Sequence, residues 1–199
     1  MMGERIFEND LSREDSRKSY YNDFYESHGI KVYSRSDWNT KSGHKEQKSD
    51  IDVTLLYGNI KLTASEKERS NYYGDILVEV MHVFEDGTVS DGWIFETEAD
   101  ILSYFTPSVH FFVNMPDLKN MVIDGILPLI EKAFVSFKNS GKNSSNVYVK
   151  IDGKMRKMTV TMARNSGNGK KWHTFGLCIK VEDLIDFGIA VDRTEIDKV

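Results

Sequence analysis

Hydrophobic and polar positions alternate with period two around Tyr57-Gly58-Asn59. Val53 and Leu55 precede that turn and Ile60 and Leu62 follow it, the signature of a β-hairpin. Gly74 to Val80 is almost unbroken in apolar residues and reads as a central strand buried on both faces. Further strands are expected at Ile30 to Tyr33, Val109 to Val113, Val147 to Ile151, Met155 to Ala163 and Phe175 to Ile179, with Gly92 to Phe95 as a rim. Helical signals stand between them. Ser12, with Glu14 and Asp15 behind it, opens a helix that carries the aromatic face Tyr20, Tyr21, Phe24 and Tyr25 and stops at Gly29. Thr97 with Asp100 three positions on reads as a second helix start. Asn114 to Phe137 reads as a long amphipathic helix interrupted at Gly125 and Pro128, and Val181 to Phe187 as a short one. Residues 34–48 read as a polar loop with one large apolar residue, Trp38, and with a solvent-facing His44. Strands interleaved with helices predict an α/β fold, a mixed central sheet flanked by helices.

A chain of 199 residues, 40% hydrophobic, is long enough to bury one sizeable core. The expectation is a single domain over residues 12–190, a flexible N-terminus over 1–11 and an acidic tail over 191–199. No apolar run approaches the length of a membrane span, and Met1-Met2-Gly3-Glu4-Arg5 does not open a signal peptide. The expected location is therefore the cytoplasm. Cys178, the one cysteine, has no partner for an internal disulfide and reads as a buried small residue in a reducing compartment.

The net charge of −5 hides a division along the chain. From Tyr72 to Glu131 eleven acids stand against Lys119 alone. From Lys138 to Lys171 nine bases stand against Asp152 alone. An acidic half that holds metal and a basic arm that meets phosphates is one reading, and a solvated hairpin face is the other. On the first reading Lys154, Arg156, Lys157, Arg164, Lys170 and Lys171 are the nucleic-acid contacts, joined by Arg69 beside Tyr72 and Tyr73.

Acids and a lysine meet at the hairpin. One strand enters through Asp50 and Asp52, and its partner runs out through Ser65-Glu66-Lys67-Glu68. Carboxylates from adjacent strands converging on Mg²⁺, with a lysine to steady developing negative charge, are what phosphodiester hydrolysis requires. Glu79, embedded in an apolar strand, is costly to bury without a cation or metal beside it.

The ordered phrases Ser-Asp-Ile-Asp-Val, Ser-Glu-Lys-Glu-Arg and Gly-Asp-Ile-Leu-Val-Glu, followed by Gly92-Trp93-Ile94 and Glu98-Ala99-Asp100 through Tyr104, resemble the core of the PD-(D/E)XK nucleases, in particular compact phage-type members. The likeness runs well over about residues 12 to 113. It implies a restriction-endonuclease-like fold and a metal-dependent DNA endonuclease or junction resolvase, active in the host cytoplasm if phage-encoded. It also implies Mg²⁺ or Mn²⁺ as cofactor and DNA as partner, with a homodimer natural for cutting both strands. In that frame Asp52 and Glu66 hold metal, Lys67 stabilises the transition state and Glu79 supports them, with Asp50 and Glu68 as alternates. The family carries an acid on its leading helix, for which Glu14 or Glu26 would stand; the other reading of both is a surface charge.

Ser65 departs from the pattern, because an acid is expected two positions before the lysine. Period two puts Ser65 and Lys67 on one face of the strand and Glu66 and Glu68 on the other. Three readings stay open: a bulge that turns Glu66 inward, an acid-x-acid variant using Glu66 and Glu68, or a decayed site on a module that binds nucleic acid or protein without cutting. A protein whose acidic half mimics nucleic acid is a further reading.

Overall fold

The computed structural model describes residues 5–37, 40–151, 153–167 and 169–196, with side chains from Arg17 onward except that of His44. Trp38, and the side chains of Glu14 and His44, lie outside what is described. In chain order the elements are β1 (Arg5–Ile6), α1 (Phe7–Ser27), β2 (Lys31–Arg35), α2 (Lys41–Lys48), β3 (Val53–Tyr57), β4 (Ile60–Glu68), β5 (Asp75–Phe84), β6 (Val89–Asp91), α3 (Trp93–Glu96), β7 (Ile101–Phe105), β8 (Val109–Asn114) and α4 (Met115–Asn120). They continue, after a widened π-helical stretch Met121–Ile126, with α5 (Leu127–Lys138), β9 (Ser144–Ile151), β10 (Lys154–Gly167), β11 (Lys170–Lys180), α6 (Val181–Asp186) and β12 (Val191–Glu195).

The architecture is mixed α/β, but the strands form two sheets rather than one. In the first, the order is β1-β10-β11-β5-β6, with β9 also on β10; in the second it is β12-β8-β7-β4-β3-β2. The second sheet joins an antiparallel meander, β2 to β4, to β7 through one parallel pairing, Ser65 opposite Leu102 and Lys67 opposite Tyr104. Alternation along its strands divides its two faces between two cores. Leu102, Tyr104, Val109, Phe111 and Val113 join Ile76, Val78, Leu177 and the helix residues Leu118, Val122, Ile126 and Ile130 in the main core. On the other face Val53, Leu55, Ala64 and Phe105 meet Tyr21, Phe24 and Tyr25 of α1. Among the described residues no helix is long and apolar enough to cross a membrane.

Several expectations are corrected. The helix with the aromatic face begins at Phe7, so Ser12 lies inside it rather than at its cap. The polar loop contains α2, capped by Thr40 Oγ1 accepting from the Gly43 N–H at 3.0 Å. Gly92 to Phe95 turns into the short α3, for which Thr97 is the C-cap. The helix expected after Thr97 is the strand β7; Asp100 instead accepts from the Thr63 N–H at 2.7 Å and hydroxyl at 2.8 Å, tying β7 to β4. Residues 191–195, expected as a tail, pair antiparallel with β8. The long helix runs on through its π stretch, where the Leu127 N–H reaches back to Val122. That widening accommodates Pro128, which has no N–H to donate and would crowd the carbonyl four residues back in a regular helix.

Candidate functional site

The end of α2 aims the first acid. The Asp50 N–H bonds Gln47 O at 3.1 Å and the Ile51 N–H bonds Glu46 O at 2.9 Å, the paired reversal that closes many helices and demands a left-handed residue. Asp50 supplies it, with φ of 51°, a conformation that Asp tolerates better than most residues. The chain then turns into β3, where the Asp52 N–H bonds Ala64 O at 2.9 Å. Both carboxylates thereby lie against β4.

Lys67 Nζ donates to Asp50 Oδ1 at 2.6 Å and stands 3.9 Å from Asp52 Oδ2. The Ser65 hydroxyl donates to Asp50 Oδ2 at 2.6 Å, and the Glu66 N–H donates to Asp52 Oδ2 at 2.7 Å. The Trp93 ring flanks the ammonium at 5.5 Å, a favourable cation–π distance. All three charged side chains keep 17–23% of their surface exposed.

Burial acts on these charges in opposite senses. It pushes the Asp52 carboxyl up to about 7, with the negative charges of Asp50 and Glu66 adding to the rise and Lys67 and the Glu66 N–H resisting it. For Lys67, burial alone would favour the neutral amine, but Asp50, Asp52 and Glu79 outweigh it and hold the group above its ordinary value. Lys67 is thus a firmly held cation on which the charge of Glu79, from a strand of the other sheet, also acts. Gly92 packs against the Glu79–Val80 peptide, where a Cβ would collide with backbone atoms.

The structure does not bring the Glu66 carboxylate to Asp52. It lies on the α1 face of β4, where Arg35 grips it at 2.7 and 3.1 Å and the Tyr25 hydroxyl donates at 2.9 Å. Glu68 shares that face, ion-paired with Arg17 and accepting from the Tyr21 hydroxyl at 3.0 Å. Neither the inward bulge nor the acid-x-acid pairing is formed. Glu66 meets Asp52 only through its backbone N–H. Of the expected group the structure therefore brings Asp50 and Asp52 to Lys67, with Glu79 near enough for its charge to act on the lysine. Glu26 is exposed on α1.

The expected nucleic-acid residues scatter. Arg69 is ion-paired with Asp75, approaches Cys178 Sγ at 3.7 Å and lies 4.8 Å over the Tyr73 ring. Arg156 binds Asp183 at 2.6 Å and Asp186 at 2.9 Å, and Lys154 stands 3.7 Å from Asp186, which ties both to α6. Lys157, Arg164, Lys170 and Lys171 are exposed.

Sequence reasoning missed Arg35 and Tyr25 as the holders of Glu66, and Trp93 as the wall beside Lys67. The one available signal was the alternation along β4, which demands some cation for Glu66 on its own face.

Among the described residues no three His, Cys, Asp or Glu side chains form a ready metal cage. Mg²⁺, however, is commonly held by one or two carboxylates, waters and substrate phosphates. Asp50 and Asp52 make such a hard-oxygen pair, with Ser65 as a neutral neighbour. Asp52, its carboxyl raised by burial and by like charge, lacks a full counter-charge that a divalent ion would supply. The donor set fits. Comparison of the chain with family models, with curated proteins and with solved structures found no match.

Proposed function

We propose that the chain hydrolyses phosphodiester bonds in DNA as a metal-dependent endonuclease or junction resolvase of the PD-(D/E)XK type, with Asp50, Asp52, Lys67 and Glu79 at its centre. One observation carries the reading: Lys67 is held between two aspartates that enter the neighbouring strand, and the charge of Glu79 acts on it from the other sheet. The order of elements supports it. A leading helix precedes an antiparallel three-strand meander, and a later strand returns parallel to the third, which carries Lys67.

Asp50 and Asp52, with Glu79 on the opposing strand, are the residues that would hold Mg²⁺ or Mn²⁺. Such an ion polarises a bound phosphodiester and makes water a better nucleophile. Lys67, fixed in its charged form, stabilises the negative charge that grows on the phosphoryl oxygens. The Ser65 hydroxyl and the Glu66 N–H orient the two aspartates.

A second reading rests on Ser65. With a neutral hydroxyl in the acid position, tied to Asp50, the same fold describes a module that binds DNA without cutting it. A gel assay on supercoiled, linear and branched DNA with Mg²⁺ or Mn²⁺ separates the two. Cleavage by the wild type that Asp52→Ala abolishes supports the nuclease. DNA binding without cleavage under either ion, with activity appearing in Ser65→Asp, supports the silent module.

A further inference from the structure

Helices α4 and α5 pack on one face of the sheet that carries Glu79. Val147, Val149, Met158 and Val160 point into the main core, so their neighbours along β9 and β10 point the other way. Register places Lys150 beside Met155 and Tyr148 beside Lys157 on that outer face. Asn146 with Thr159, and Ser144 with Thr161, follow in the next two rows. Tyr148 is 64% exposed and Met155 63%, and both lysines are exposed. The result is a flat strip with one open aromatic face, two cations and a run of neutral hydroxyl and amide groups.

The strip leads to the site. Thr161 lies opposite Gly176 on β11, and Gly176 opposite Glu79 on β5, so the last row crosses the sheet from Ser144 to Glu79. Strand spacing puts Tyr148 about 20 Å from Glu79 along the diagonal. Alternation also sorts the charges: Arg156 turns to the α6 side and is spent on Asp183 and Asp186, while among the described residues no carboxylate partner takes Lys150 or Lys157.

From this arrangement we infer that the outer face of the β9–β10 hairpin is a platform for single-stranded nucleic acid, on which Tyr148 stacks a base and Lys150 and Lys157 meet the flanking phosphates. An exposed ring stacks only on a base freed from its duplex partner, and it does so with little regard to sequence. Met155, Asn146 and Thr159 extend the surface without adding charge that would repel the strand. The direction of the strand, toward Glu79, rests on the nuclease reading; the platform itself does not.

Fluorescence anisotropy of the full chain with labelled oligo-thymidylate, in EDTA so that cleavage is silent, tests the platform. Tyr148→Ala is expected to weaken binding about tenfold or more, and Tyr148→Phe to leave it within about twofold. Replacing Lys150 and Lys157 together by Ser is expected to make the slope of log affinity against log salt shallower by about 1.4. An oligo-uridylate arm tells whether the sugar matters. Affinity indifferent to Tyr148→Ala, or equally tight binding of a matched duplex, would overturn the inference. Binding that depends on Tyr148 together with absent cleavage under Mg²⁺ would remove the nuclease and leave the platform. Cleavage lost in Asp52→Ala, with oligo-thymidylate affinity indifferent to Tyr148→Ala, would remove the platform and leave the nuclease.

Discussion

Glu66 and His110 stand at two ends of one buried polar chain. His110 Nε2 lies 2.8 Å from Ser103 Oγ, which lies 2.7 Å from the Tyr25 hydroxyl, which donates to Glu66 at 2.9 Å. Every hydrogen finds an acceptor when donation runs from the ring through Ser103 and Tyr25 to the carboxylate, which leaves His110 Nδ1 as a buried, unpartnered atom. Burial, helped by the charge of His28, holds the ring down at about 3, against about 6.5 in an unfolded chain. Between those values the unfolded chain takes up a proton that the folded one refuses. His110 therefore contributes stability that is complete above about pH 6.5 and is lost as pH falls toward 3, by on the order of 1 kcal/mol per unit. Denaturant midpoints at pH 7 and pH 5 check this: His110→Gln is expected to flatten the loss, and an unchanged loss would contradict the assignment. The strand expected over Val109 to Val113 is where His110 lies fully buried. Its partners were not legible, because Ser103 and Tyr25 reach it only through the pairing of β7 with β8 and the docking of α1.

Elements with one clear periodicity were legible, and those decided by long-range pairing were not. The hairpin β3–β4, the strand β8 and the helix α6 follow their local patterns. Ile101 to Phe105 follows the helix-start pattern of Thr97 and Asp100 yet becomes β7, because β4 takes it as a parallel partner and Asp100 accepts from Thr63 instead of capping a helix. Tertiary pairing overrides local propensity there. The same holds for β12, whose polar Val-Asp-Arg-Thr-Glu has no core signature. It gains order by covering β8, with Val191 opposite Val113 and Glu195 opposite Val109. Ending the chain after Ala190 is expected to bare the β8 edge, lower the denaturation midpoint and promote association. Size-exclusion chromatography and a urea titration check it, and a truncated chain as stable and as monodisperse as the full one would contradict a structural role for β12.

At the scale of the molecule, the charge division in the sequence does not map onto one basic surface. Alternation along β10 sends Arg156 to the acids of α6 and Lys157 to the opposite side, so a run of neighbouring cations serves two faces of one sheet. The acids divide in the same way at β4, where Lys67 draws Asp50 and Asp52 together while Glu66 is held by Arg35 on the other side. That partition was visible in period two, but which side would carry the proposed chemistry turns on Glu79, which comes from the other sheet. Single-turnover cleavage of one DNA substrate by Lys67→Ala, Glu79→Gln and Glu66→Gln, each confirmed folded, tests that partition most directly. Loss of about a hundredfold or more in the first two, with Glu66→Gln near the wild-type rate, is what the arrangement predicts. A dead Glu66→Gln beside a fully active Glu79→Gln would place the chemistry on the other face of β4 and contradict it.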